Sequence, residues 1–294
     1  MGNATGAGRF RNGWRFAALM GGNAALALGP WFVRMTDAGP VSAGFWRLVL
    51  ALPLLGGMAV VSKQRLTGFS PPVWWAIVGA GVFFALDLGS WHIGIHYTRM
   101  GNATLFGNAG SLVVMAWGMF ALRRWPLRNE WLAFGLALLG SAILLGRSLE
   151  IDQATLIGDV FCLLAGLLYA GYILLLQRPR ASLGNWSLLF WSSIVGAPVM
   201  LGIAAGLGER IIPGQWWPLI ALALLSQVIG QGLLIFSLRH FSALVFGLAL
   251  LSQPAIAVAV GWLVFDEVLG WPDLLGMALV AAALGLAHVK FSAK

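Results

Sequence analysis

Asp87 is the one acidic side chain in an apolar run covering residues 73–94. A helix beginning near residue 73 rises 1.5 Å per residue and carries Asp87 ~21 Å along its axis. That is about two-thirds of the way through a hydrocarbon core of ~30 Å. A carboxylate at this depth is costly unless it faces a bundle interior or a water-filled cavity. Lining a solute cavity and exchanging protons are the two tasks that suit it, so Asp87 is the proton-coupling candidate. The competing reading is a carboxylate that only bridges neighbouring helices.

The side chains around Asp87 extend the pattern. Trp91, Gly94 and Thr98 follow at spacings of four, three and four residues, which keep one helix face. Asn102, Asn108 and Ser111 then put polar groups at the start of the next apolar segment. His92 and His96 form a separate i, i+4 pair turned away from Asp87. No third ligand is evident for that pair, so neither a metal nor any other cofactor is expected. Gly81, Ala85 and Gly89 form a small-residue ridge suited to close helix contact.

Polar residues recur in other apolar blocks. Gln227 and Gln231 lie four apart in one late segment, and amides in lipid need hydrogen-bond partners; cavity lining and plain packing both account for them. Asn23 and Gln253 are further intrusions, with Pro30 a kink or hinge near the end of the first block. Tyr169, Tyr172 and Trp31 supply either apolar walls for an aromatic or hydrophobic solute or ordinary packing. Arg47, near the outer end of the second block, is expected to snorkel to the interface and stays outside the site.

These residues sit in a chain of 294, 60% hydrophobic and 10% charged, with 39 glycines and 15 tryptophans and a mean hydropathy of +0.86. Such a composition excludes a soluble globular domain and indicates an all-α polytopic membrane protein. The apolar blocks are continuous rather than alternating, which selects helices over a barrel. The lone cysteine, Cys162, excludes an intramolecular disulfide and a thiol metal cluster. The basic start leads into a full-length span with no convincing cleavage site, so no signal peptide is expected.

The pattern predicts ten transmembrane helices at about 14–33, 41–61, 73–96, 102–122, 130–146, 156–177, 186–207, 216–238, 242–265 and 272–289. With both termini cytoplasmic, 13 basic residues fall on the inner side and 4 on the outer, Arg47 lying within a span. The positive-inside rule favours that orientation. The net charge of +8 is then topology and attraction to anionic lipid, not a nucleic-acid footprint. Expected partners are a lipid bilayer and a small-molecule substrate, with the chain a monomer or dimer.

The chain also repeats itself. Phe45-Trp46 followed by Pro53 recurs as Phe190-Trp191 followed by Pro198, and Trp74-Trp75 recurs as Trp216-Trp217. Ala103, Phe106-Gly107 and Ala109 recur as Ala243, Phe246-Gly247 and Ala249. The expectation is two five-helix repeats, 14–147 and 156–290, forming one domain. An odd number of spans per repeat inverts the second relative to the first, the plan of secondary transporters with a site near the midplane.

Gly158-Asp159, Tyr169-Ala170, Tyr172, Pro254, Asp266-Glu267 and Gly276 in the second half, with Trp46-Arg47, Tyr97-Thr98 and Asn102-Ala103 in the first, resemble the ten-helix EamA-type branch of the drug/metabolite transporter superfamily. The first-half signature is degraded: Pro126-Leu127 stand where Glu267 has its counterpart, and Val114 answers Pro254. The resemblance implies export or exchange of small metabolites, often amino acids, across a bacterial-type inner membrane by alternating access. A passive facilitator or channel on the same fold is the alternative. An enzyme is not expected: HExxH, GxSxG and acidic metal clusters are missing from the sequence. A GxxxxGK[ST] loop is missing too, which excludes a nucleotide-driven pump as a single chain.

Overall fold

The computed structural model describes residues 3–98, 103, 106–121, 127–146, 155–265 and 268–291. Every regular element among them is a helix. Helix α1 (Asn3–Ala27) gives way at Leu28 to α2 (Gly29–Met35). Pro30 stands in the first turn of α2, where its missing N–H removes no helical bond. Prolines also open α3 (Pro40–Val61) and α4 (Pro71–Tyr97). They are followed by α5 (Ala109–Ala121), α6 (Arg128–Gly146), α7 (Leu156–Leu176) and α8 (Asn185–Gly206).

The next rod is assembled from α9 (Trp217–Leu222), a π-helical stretch (Ala223–Gly230) and α10 (Gln231–Ser237). Helix α11 (Ala243–Leu250) and α12 (Gln253–Phe265) are separated by Leu251 and Ser252, just ahead of Pro254. Helix α13 (Trp271–Phe291) completes the order.

Six helical segments among the described residues are long and apolar enough to cross a membrane: Gly13–Met35, Pro40–Val61, Pro71–Tyr97, Leu156–Leu176, Asn185–Gly206 and Trp217–Ser237. Of the other expected spans, 102–122 lies partly outside the described residues and is helical as α5. Span 130–146 corresponds to α6, 242–265 is divided between α11 and α12, and 272–289 lies inside α13.

The most extensive interfaces join α4 to α7, α6 to α13 and α3 to α8. Between α4 and α7 the fully buried rings of Phe84 and Tyr172 stack at 4.6 Å and 19°. Helix α7 also approaches α5 with backbone touching backbone: a Cβ on Gly110 would overlap the Gly166 carbonyl. That contact draws the start of α5 against the middle of α7.

The α3–α8 pair is bonded in the same way at both ends. The Glu209 carboxylate, just past α8, accepts from Val41 N (3.1 Å) and Ser42 N (2.8 Å) at the start of α3. Gln64 Oε1, just past α3, accepts from Trp186 N (3.0 Å) and Ser187 N (3.1 Å) at the start of α8. Each satisfies helix N–H groups that have no intrahelical acceptor. Trp46 Nε1 donates to Ile211 O (2.7 Å), and Trp191 Nε1 to Leu66 O (3.0 Å). Trp46 meets Trp216 edge-on at 4.8 Å, and Trp191 meets Trp74 edge-on at 5.1 Å. A Cβ at Gly39 would overlap Glu209, and one at Gly184 would overlap Gln64. The two helices therefore run antiparallel.

Candidate functional site

A cavity lies among α1, α2, α3, α4, α5, α7, α10, α11 and α12. Two breaks in the helices border it. At the first, Gly29 and Pro30 of α2 reach its wall; at the second, Leu250 and Gln253 flank the interruption between α11 and α12. Interrupted helices expose backbone ends and polar side chains at membrane depth, which is tolerated where they line a cavity.

From α4 come Asp87, Leu88 and Trp91, with Asp87 and Trp91 one turn apart. Gly107, Asn108 and Ser111 line the wall around the start of α5, while Tyr169 lines it from α7 and Gln231 from the first position of α10. Asn108 Nδ2 and Gln231 Oε1 are buried and have no hydrogen-bond partner among the described residues. Such groups are expensive to leave unpaired, so the wall offers unspent donors and acceptors.

Arg47 corrects the sequence reading. It does not snorkel: it is 3% exposed and lines the cavity beside Asp87, itself 8% exposed. It stands about 10 Å from the start of α3 at 1.5 Å per residue, and its guanidinium is turned inward rather than back along its own helix. Its Nε donates to Gln227 Oε1 (3.1 Å), and Gln227 Nε2 donates to Ser193 Oγ (3.2 Å). The stripe-mates of Asp87 offer it no positive charge, but Arg47 of α3 supplies one across the cavity. Among the described residues, no direct ion pair joins the two.

The other candidate residues are distributed around this wall. Asn23 is buried on α1, donating to Leu19 O (3.0 Å) and accepting from Gln253 Nε2 (3.1 Å). It tethers the start of α12 and does not itself line the cavity. Gln227 likewise stands behind Arg47 rather than in the wall. Tyr172 stacks its ring on Phe84 and does not line the cavity, and its buried hydroxyl has no hydrogen-bond partner among the described residues. Trp31 is 38% exposed and packs on Phe32.

Thr98 leaves the expected stripe because α4 ends at Tyr97. It turns to extended backbone, and its hydroxyl donates to Asp159 Oδ1 (2.5 Å) at the head of α7. Asn102 lies outside the described residues. His92 Nδ1 donates to Pro40 O (2.7 Å) and His96 Nδ1 to His92 O (2.9 Å), so the pair is used within the fold. Among the described residues, no group of three His, Cys, Asp or Glu side chains is placed to hold a metal ion.

Outside the spans, Asp37 accepts from Gly214 N and Gln215 N and pairs with Arg210 at 3.0 Å. The Gly214 bond, with help from Gln215 and the Arg210 charge, holds this exposed carboxyl below its ordinary range.

The EamA-like transporter family model matches residues 15–146 and again 156–288. The threonine/homoserine exporter RhtA of Escherichia coli (strain K12) is 29% identical over 211 residues, 69% of each chain. The corresponding exporter of Salmonella typhimurium (strain LT2) is 28% identical over the same length. An uncharacterized transporter of Archaeoglobus fulgidus is 23% identical, covering 72% of this chain and 75% of its own. One solved crystal structure superposes with a TM-score of 0.77 over 94% of this chain and 96% of its own, at 12% identity, and so shares the fold.

Proposed function

The chain belongs to the EamA-like transporter family, and on that premise we propose that it exports amino acids or closely related small metabolites across a bacterial-type inner membrane. The observation that carries this reading is the split charge of the cavity. Arg47 and Asp87 line one buried space without being paired to each other. A zwitterion satisfies both, its carboxylate on the Arg47 fork and its ammonium on Asp87. Two buried opposite charges left apart are otherwise destabilising. Asn108, Ser111, Tyr169, Gln231 and Gln253 then surround the remainder of the solute, with Trp91 as an apolar wall. The Escherichia coli relative is named as an exporter of threonine and homoserine, which supports this solute class.

The proposed mechanism is alternating access by two inverted five-helix repeats, 14–147 and 156–290, with both termini cytoplasmic. The matched hydrogen bonds at the two ends of the α3–α8 pair support an axis lying in the membrane plane, because an axis along the normal would leave equivalent helices parallel. Asp87 is the proposed proton-coupling group, and no cofactor is assigned.

Counterflow in proteoliposomes tests the reading. Preloaded amino acid should drive saturable uptake of its labelled form in the parental protein, should fail to do so in Asp87→Asn, and should do so only at a much higher KM in Arg47→Met. Non-saturable flux without counterflow would indicate a channel, and unaltered transport in both variants would remove the proposed site.

A further inference from the structure

We infer that Gln227 is a positioning residue that sets Arg47 as a carboxylate receptor and keeps it from collapsing onto Asp87. This inference rests on the substrate reading above but assigns a role to a residue that does not line the cavity.

The orientation of the relay is fixed by chemistry. A guanidinium can only donate, so Gln227 must present Oε1 to Arg47 Nε, and its Nε2 is left to donate to Ser193 Oγ. Ser193 and Gln227 are both fully buried, so this arrangement is not exchanged for water. The bond is spent on Nε, one edge of the planar fork. Among the described residues the two terminal nitrogens have no protein acceptor, and their paired N–H groups suit a bidentate carboxylate. An arginine free to rotate in the same cavity would move toward Asp87 and neutralise both charges.

A second observation points to the same residue. Gln227 sits within the π-helical stretch Ala223–Gly230, directly before Gln231 at the cavity wall. A π-helical turn carries poorer backbone bonding than an α-helical one and occurs frequently at functional sites. Here its widened turn sets one glutamine behind Arg47 and the next, four positions on, in the cavity.

The test is a double-mutant cycle in proteoliposomes, run with the labelled L-amino acid that the parental protein takes up best from a mixture of all twenty. Gln227→Met preserves volume and removes both hydrogen bonds. It should raise KM about tenfold, the scale of a hydrogen bond to a charged group, with kcat changed less than about twofold. In the Arg47→Met background the same substitution should add nothing, because the group it positions is gone. Gln227→Glu, which keeps the acceptor but neutralises the guanidinium, should also raise KM. The amine analogue lacking the carboxylate, offered as a competitor, should lose none of its potency in Gln227→Met.

If Arg47→Met raises KM but Gln227→Met leaves it unchanged, the positioning role is wrong and the cavity reading stands. If the two substitutions are additive, Gln227 acts on the fold and not through Arg47, and the inference fails. If Arg47→Met has no effect, or no amino acid is taken up, the substrate reading fails and the inference falls with it.

Discussion

Gln64 and Glu209 lie 145 positions apart in the chain and perform the same task at opposite ends of one antiparallel helix pair. Each follows the last turn of its own helix and accepts two backbone N–H groups from the first turn of the other. Trp46 and Trp191, also 145 apart, repeat the relation with carbonyls two residues further on, at Ile211 and Leu66. The difference is charge. Glu209 is a carboxylate at the positive end of a helix, where the macrodipole adds to the bond, and Gln64 is neutral.

Removing either acceptor should loosen the pair without emptying the cavity. Glu209→Ala is expected to cost about 1 kcal/mol, the usual scale of a lost N-cap, and to lower the melting temperature in detergent by a few degrees. Glu209→Gln should recover most of that loss, since Gln64 already does this task at the other end. A Glu209→Ala protein melting at the parental temperature would show that the carboxylate adds nothing to stability.

Asp87→Asn should fold and insert but lose transport or its response to a pH gradient, and Asp87→Glu should retain part of it. An asparagine still bridges helices, so a purely structural carboxylate would tolerate the change. Transport by purified Asp87→Asn at the parental rate, with the same pH dependence, would make Asp87 structural.

Arg47→Lys should behave nearer to a loss than to a conservative change. Lysine keeps the charge but cannot place one N–H on Gln227 and a parallel pair on a carboxylate. A KM raised by several-fold, with protein level and melting temperature close to parental, is the expected result in reconstituted vesicles.

Asp37 gives a pH effect with a defined sign. Its folded carboxyl is held below the ordinary value, chiefly by Gly214 N–H, against ~3.9 for an unfolded aspartate. Its contribution to stability is therefore fully present above about pH 5 and is lost as pH falls through the folded value, below pH 4. The melting difference between parental protein and Asp37→Asn should be small, because the site is exposed. It should shrink under acid and in high salt, and a difference that grows on acidification would reverse the sign argued here.

Topology can be read independently of transport. A reporter active only in the cytoplasm, fused after Lys294, should give signal, and one active only outside should give none. The reverse outcome would exchange the inner and outer ends of the α3–α8 pair.

Much of this molecule follows from local properties of the sequence. Uninterrupted apolar runs must become helices where no water can satisfy the backbone, and Pro30 marks a break. The break ahead of Pro254 was not legible, since Pro53 and Pro198 sit inside unbroken α3 and α8. Asp87 and Trp91 are legible as neighbours because one helical turn separates them, and Tyr169, Gln231 and Gln253 because polar groups in apolar runs need a destination. The 145-residue recurrence of Phe-Trp and proline was visible too, although its extension to Gln64 and Glu209 was not, since an amide and an acid do not match as letters.

What only the tertiary structure decided is where each chain segment meets another. Arg47 looks interfacial along its own helix, yet it is held inside by Gln227, 180 positions away. The paired appearance of Trp46-Arg47 was the one signal that pointed there. Thr98 shares a helical stripe with Asp87 on paper, but the helix ends one residue too soon and Asp159 takes its hydroxyl. Periodicity describes a face, which is a property of one helix. A binding site is a meeting of faces, set by packing between helices remote in sequence, and no spacing within either helix encodes it.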